Sequence, residues 1–394
     1  MGARPLPKHF TIGIVAGELS GDSLGSGLME NLRTQYPDAE FTFLGIGGPK
    51  MLGLGLESLG KMDNLSINGF REPILRLPYL IRLLRFLVEQ FQARKIDAFV
   101  GVDFNVFNFL LERILHSRNI PTAHYVSPSV YAWRAGRAKK IARSTDLLFC
   151  LFPFEPQFYQ GLDIEAHFVG HPLADTILSG LNLNGDKEAA RSHLRLPKNS
   201  TVVALLPGSR KSEIHYMLGT FLETSRRLKE SHKTISFVVP CVSEEIQKQI
   251  DNQVASANFM GVSTYVGEAK VALLACDVVL SKSGTVTLEA ALIKRPMVVA
   301  YKLGRLTHFL LRFLVKSRYF ALPNLVLERE LVPEFIQKDA TPDNLCAALL
   351  RELKRFEDDP GYLEGLEMVC DTLRKNANVQ AAKIFHEFLV VRVK

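Results

Sequence analysis

Four short segments carry residue types that could do chemistry. Ser283-Gly284-Thr285 follows the apolar run that starts at Asp277 and leads through Val-Thr-Leu to Glu289 and an apolar helix. A strand that turns through Ser, Gly and Thr into a helix leaves the first helical amides unpaired, where they and the helix dipole favour phosphate oxygens. Glu289, about one turn further in, can accept two hydrogen bonds from a ribose diol; the same residues also suit a helix cap followed by a solvated Glu. Leu206-Pro-Gly208-Ser209-Arg210 closes a second apolar run. Gly208 and Ser209 allow close backbone approach, and Arg210 offers a planar fork of donors suited to phosphate. The two loops together could address one diphosphate. Asn324, set by a proline in Leu322-Pro-Asn324, is either a further site residue or part of a turn.

The first half of the chain supplies a carboxylate. Asp103 ends the run Asp97-Ala-Phe-Val-Gly-Val. In a generic α/β protein it would cap the following helix, whereas beside an activated sugar it would be a base within reach of an attacking hydroxyl. Gly17-Glu-Leu-Ser20-Gly21-Asp22 follows another run, its glycines permitting a tight turn and Asp22 or Ser20 able to cap the next helix. A G-x-G-x-x-G fingerprint with a later acid and a G-x-x-x-x-G-K-[ST] loop are both missing, so nicotinamide and P-loop readings recede. His124 and His171 sit near strand ends and read as structural. No spacing presents two ligands to one metal ion, so neither a metal nor another cofactor is expected.

These loops need strands to end where they begin. Short β-branched runs at 11–16, 41–45, 97–102, 121–126, 146–151 and 165–169 alternate with helical periodicity, the pattern of a parallel sheet covered by helices. The rhythm breaks between 170 and 200 and restarts at 201–206, 235–239, 262–266, 277–280 and 296–300. The expected organisation is an α/β fold of two Rossmann-like domains facing a cleft, 1–175 and 176–375, then a C-terminal helix over 376–394. From about residue 340 the pattern is helical, and its amphipathic tail must cover something apolar.

A length of 394 residues suits two domains, and 47% apolar content leaves ample core. The net charge of +7, from 48 basic and 41 acidic residues, suits phosphorylated or lipid partners as well as nucleic acid, but no nucleic-acid motif accompanies it. The five cysteines form no C-x-x-C pair and read as reduced core residues of a cytosolic protein. No signal-peptide core precedes the first strand, and no run of about 18 uncharged apolar residues predicts a bilayer span. Two basic apolar stretches stand out, Phe70 to Val88 and Lys302 to Arg318. Within 66–88, Ile74, Leu75, Leu77, Leu80 and Arg82 would face a membrane interface, apolar groups down and guanidinium among lipid phosphates; the plainer reading is a helix packed on a core.

Gly17-Glu-Leu-Ser-Gly-Asp22, Gly45-Ile-Gly-Gly-Pro-Lys-Met51, the run His124 to Arg134, Val169-Gly-His-Pro-Leu-Ala-Asp175 and Leu205-Leu-Pro-Gly-Ser-Arg210 closely resemble the lipid-A-disaccharide synthase family, as do Ser283-Gly-Thr285, Glu289 and Leu322-Pro-Asn-Leu325. The resemblance implies a GT-B glycosyltransferase whose C-terminal helix crosses back to the first domain. It implies condensation of UDP-2,3-diacylglucosamine with 2,3-diacylglucosamine 1-phosphate to a β-1,6 disaccharide, without metal, at the cytoplasmic face of a Gram-negative inner membrane. A homodimer with exchanged C-terminal segments is similar to what family members form. By the same resemblance Asp103 is the essential acid, Arg210 and Asn324 belong with the nucleotide together with Glu289, and Gly17, Ser20, Gly21, Asp22 and Ser127 contact substrate. One departure matters: many relatives carry a second Asp where this chain has Val106, which leaves Asp103 the single candidate acid. Other UDP-sugar enzymes of the same fold, a peptidoglycan N-acetylglucosaminyltransferase or a UDP-sugar epimerase, are the alternative, and a non-catalytic membrane-surface protein is the reading from a different class.

Overall fold

The computed structural model describes residues 9–65, 72–128, 135–178, 183–257, 259, 261–304 and 317–392. The chain divides into two compact units, Met1–Pro172 with Leu373–Lys394, and Leu173–Thr372.

The first unit is built on β1 (His9–Ala16), β2 (Glu40–Ile46), β3 (Glu57–Ser58), β4 (Ala98–Val102), β5 (Thr122–Tyr125), β6 (Leu147–Cys150) and β7 (Glu165–Phe168). They form one parallel sheet in the order β3-β2-β1-β4-β5-β6-β7. Its inner strands read as unbroken apolar runs because helices cover both faces. The helices are α1 (Leu19–Gln35), α2 (Pro49–Gly53), α3 (Glu72–Ala93), α4 (Asn105–His116) and α5 (Ala135–Ile141). Leu87, Phe91, Leu111 and Leu115 from α3 and α4 bury one face with Val15 and Phe99, while Leu28 and Leu32 of α1 cover the other with Ile12 and Phe43.

The second unit repeats the plan with β8 (Thr201–Leu206), β9 (Ile235–Cys241), β10 (Val262–Val266), β11 (Val278–Lys282), β12 (Met297–Tyr301) and β13 (Glu334–Ile336), all parallel, in the order β10-β9-β8-β11-β12-β13. Around the sheet lie α6 (Pro172–Leu178), α7 (Leu183–His193), α8 (Lys211–Ser231), α9 (Glu244–Ser256), α10 (Ala269–Ala275), α11 (Val286–Leu292), α12 (Leu322–Leu327), α13 (Pro342–Asp358) and α14 (Pro360–Leu373). An acid just before a strand fixes registry in each unit: Asp97 accepts the Thr11 amide at 2.7 Å, and Asp277 accepts the Val202 amide at 2.7 Å while pairing with Lys187 and Arg191 at 2.6 Å. Both sheets reverse their strand order once, between β1 and β4 and between β8 and β11. Ligands of open α/β sheets bind beyond the carboxyl ends of the strands at such reversals.

The closing helix, α15 (Ala377–Arg392), belongs to the first unit. Ala377, Ala381, Phe385 and Leu389 are buried in the core that α1 also covers. Asn378 packs where Gly27 has no side chain, a Cβ there meeting its amide at 2.3 Å, and the His386 ring stacks on Tyr36 at 3.6 Å. The apolar face expected to cover something thus completes the first core.

Candidate active site

In the second unit the loops after β8 and β11, on either side of the strand-order reversal, line one cavity of about 380 Å³. Gly208, Ser209, Arg210, Gly284, Thr285 and Glu289 all face it, joined by Glu213 and Lys282. Glu213 organises the first loop. Its carboxylate accepts the Ser209 and Arg210 amides at 3.1 and 3.3 Å and the Lys282 ammonium at 3.0 Å. Burial would raise this carboxyl, but Lys282 and the two amides outweigh it and hold the group below the usual carboxylate value. Gly208 is needed here: φ is +128° and a Cβ would stand 2.5 Å from that of Glu213. Lys282 is therefore committed, while Arg210, its side chain 82% exposed and 3.9 Å from Glu213, keeps most of its donors for a ligand. Burial raises the Glu289 carboxyl, and a diol donating to the ionised form would relieve that.

Ser283 and Asn324 support this loop from behind. The Ser283 hydroxyl donates to the Phe320 carbonyl at 2.8 Å, and the Phe320 and Ala321 amides are held by Glu334 at 2.9 Å. Asn324 is fully buried and does not line the cavity. Its amide donates to the Val332 carbonyl at 2.8 Å and to Glu334 at 2.7 Å, and its oxygen accepts the Leu331 and Val332 amides at 2.8 and 2.9 Å. Those four bonds use all the hydrogen-bonding capacity of the side chain.

In the first unit the loops after β1 and β4 flank the equivalent reversal. Asp103 and Phe104 both take left-handed backbone angles, φ +50° and +48°, and Val126 after β5 has φ +88°. Such angles cost roughly 1–3 kcal/mol each in non-glycine residues and cluster at functional sites. The Phe104 ring lies over Gly17, where a Cβ would meet it at 2.4 Å, so the glycine is what lets the two loops touch. The Asn108 amide stitches them, donating to the carbonyls of Asp103 at 2.8 Å and Val15 at 3.1 Å. Asp103 makes no helix cap; Phe104 occupies that position, and the Asp103 carboxylate accepts only a long 3.4 Å bond from the Asn105 amide among the described contacts.

The other residues singled out in this unit have structural occupations. Asp22 does not cap its own helix, which starts one turn earlier; its buried carboxylate accepts the Gly48, Lys50 and Met51 amides at 2.9–3.0 Å and caps α2. Gly21 packs against Ala16 and the Val102 carbonyl, Ser20 is exposed, and the buried Ser127 hydroxyl meets Tyr159 at 3.0 Å. His124 is likewise structural, its ring 2.6 Å from the buried Glu112.

On α3, Leu77 and Ile81 are 52% and 44% exposed beside exposed Arg82 and Arg85, and Leu80 is half-buried. The side chains of Ile74 and Leu75, residues 66–71 and 305–316 of the two basic stretches, and residues 129–134 lie outside the described residues. Among the described residues no helix is long and apolar enough to cross a membrane, and no three His, Cys, Asp or Glu side chains converge as a metal site.

The model of a family described as lipid-A-disaccharide synthetase matches residues 12–385. The lipid-A-disaccharide synthase of Saccharophagus degradans is 42% identical over 383 residues, 97% of each chain. Among solved structures, a glycosyltransferase from Rickettsia africae superposes with a TM-score of 0.59 at 9% identity over 98% of this chain and 99% of its own. The UDP-GlcNAc 2-epimerase of Neisseria meningitidis, bound to UDP-GlcNAc, does so with 0.59 at 13% over 97% and 99%. The two structures share the fold, a pair of Rossmann-like parallel-sheet domains of the GT-B type.

Proposed function

The chain belongs to the lipid-A-disaccharide synthase family and is a glycosyltransferase of lipid A biosynthesis; from that premise we propose that it joins UDP-2,3-diacylglucosamine to 2,3-diacylglucosamine 1-phosphate, with inversion and release of UDP. The second unit holds the nucleotide, Arg210 and the loop amides of Ser209, Gly284 and Thr285 addressing the diphosphate and Glu289 the ribose. Asp103 takes the proton of the acceptor 6-hydroxyl as that oxygen bonds to the anomeric carbon and the bond from carbon to the diphosphate breaks. An α-linked donor then gives a β product in one displacement. Charge arriving on the departing UDP is met by Arg210 and the helix-start amides.

The observation that carries this reading is the convergence of Arg210, Gly208 and Glu289 on one cavity of about 380 Å³ at a strand-order reversal, a size that suits a small organic ligand. The exposed apolar face of α3 with Arg82 and Arg85 supports work at the cytoplasmic face of the inner membrane, where acyl chains stay in the bilayer. A homodimer with exchanged C-terminal segments would supply α15 from a partner through the same contacts it makes here.

Calorimetry with UDP and turnover with both lipid substrates test the assignment. Arg210→Ala should weaken UDP at least tenfold. Asp103→Asn should leave UDP binding within twofold and lower kcat by roughly 10²-fold or more. Full turnover by Asp103→Asn, or unchanged UDP binding by Arg210→Ala, refutes it.

A further inference from the structure

A second concavity, of about 600 Å³, opens in the first unit beside the Asp103 loop, and its charged side chains are all of one sign. From α4 come Asn105, Val106, Phe109, Leu110 and Arg113, residues one and two turns apart on one helix face. From α5 and the turn after it come Arg137, Lys140 and Arg143. All four cations are exposed, and among the described residues none has an ion pair with a carboxylate. The one acid of α4, Glu112, points inward and is consumed by His124 and Thr145, each at 2.6 Å. The rim is apolar: Val106 is 79% exposed and Leu110 51%.

Four like charges around one cavity repel each other, and a dianion relieves all of them at once. A phosphate monoester carries about 1.5–2 negative charges at neutral pH and three acceptor oxygens, and guanidinium forks match it. The exposed Val106 and Leu110 beside those cations suit a phosphate whose carrier has apolar parts. The cavity also adjoins the candidate base, because Asn105, which lines it, donates to the Asp103 carboxylate at 3.4 Å. The diphosphate of the donor is served by the other unit, so this is a separate anion site.

We propose that the cavity lined by Arg113, Arg137, Lys140 and Arg143 binds the phosphate of the acylated sugar-phosphate acceptor and sets its hydroxyl for Asp103. This rests on the transferase reading for the identity of the acceptor, whereas the phosphate site stands on the cavity itself.

The test uses the full chain and two variants, Arg113→Ala/Arg143→Ala and Arg137→Gln, each checked for an unchanged melting profile; these side chains are exposed, and Arg137→Gln keeps most of its length should the double variant misfold. KM for the acceptor should rise roughly 10–100-fold in the double variant, the loss expected for charge-assisted bonds, and severalfold in Arg137→Gln, while UDP affinity by calorimetry stays within twofold. Glucosamine 1-phosphate, but not glucosamine, should bind the parent chain and bind the variants more weakly. Flotation with phosphatidylglycerol vesicles separates the other source of lipid phosphate: lost vesicle binding with an unmoved acceptor KM overturns the proposal in favour of a membrane contact. An unmoved acceptor KM with unmoved vesicle binding overturns it outright. Should the parent chain fail to bind UDP yet bind glucosamine 1-phosphate through these residues, the transferase reading fails and the phosphate site survives.

Discussion

Asn324→Ala separates a residue that touches nucleotide from one that holds the wall behind it. The substitution deletes two donated and two accepted hydrogen bonds in a fully buried setting, leaving the Leu331 and Val332 amides and the Val332 carbonyl unpaired and removing one donor from Glu334. At about 1 kcal/mol per bond, with a further cost for each stranded polar group, the loss comes to about 4–6 kcal/mol. Set against the 5–15 kcal/mol that typically separates folded from unfolded domains, that is a large fraction. For a unit of about 200 residues each 1 kcal/mol moves Tm by about 2–4 °C, so a fall of roughly 10–20 °C is expected by scanning calorimetry. Asn324→Asp adds a sharper arm. It keeps the oxygen acceptors but sets a carboxylate where the amide stood 2.7 Å from Glu334, a group that burial already raises against the hydrogen bonds that lower it. Two such acids share a proton, so the folded form binds more protons than the unfolded chain and gains stability as pH falls. Asn324→Asp should therefore be the less stable of the two variants at pH 8 and recover toward pH 5. A Tm within about 3 °C of the parent for Asn324→Ala refutes the clasp, and coincident pH profiles for the two variants refute the carboxylate argument.

Two further outcomes follow from other parts of the molecule. Glu155 is buried, accepts the Leu151 and Phe152 amides at 3.0 Å, and is pushed up to about 8 by desolvation. Since its folded pKa lies above the unfolded one, the stability that Glu155 contributes is fully present below about pH 4.5 and is lost as pH rises toward 8, by at most about 5 kcal/mol. Glu155→Gln keeps an acceptor that never ionises, so urea midpoints measured from pH 5 to 8 should flatten; a slope parallel to that of the parent protein contradicts the assignment. Leu77→Ser/Ile81→Ser, on the exposed face of α3, should reduce sedimentation with anionic vesicles at least tenfold, and undiminished sedimentation removes that face from any membrane contact.

The sheets were legible because buried parallel strands are nearly pure apolar text. Thr201–Leu206 and Val262–Val266 fall where the sequence places them, and most of the other expected strands lie within a residue or two. Two strands escaped notice for the converse reason: Glu57–Ser58 is two exposed residues, and Glu334–Ile336 is a half-buried edge without an alternating pattern. In the site, the Gly208 and Ser283–Thr285 loops announced themselves as small polar residues after apolar runs. Glu213 and Lys282 did not, since a charge in a first helical turn or at a strand end resembles a solvated one until the partner 69 residues away is known. The place of Glu213 in the first turn, where a carboxylate can reach back to the amide of Arg210 before the helix, was the one available hint. Asp22 shows the same limit: its type suggested a helix cap, and only tertiary folding revealed that the helix it caps is α2.

The position of α15 carries a consequence for biosynthesis. About 200 residues of the second unit are translated between Pro172 and Leu373, which at roughly 5–20 residues per second keeps the first sheet waiting on the order of 10–40 s for its last helix. During that interval Leu28, Leu32 and Phe41 lack the apolar cover that α15 later provides, an invitation to chaperones. A premature stop codon anywhere in the intervening stretch would therefore leave a single chain whose amino-terminal sheet never receives its last helix, instead of one sound amino-terminal half.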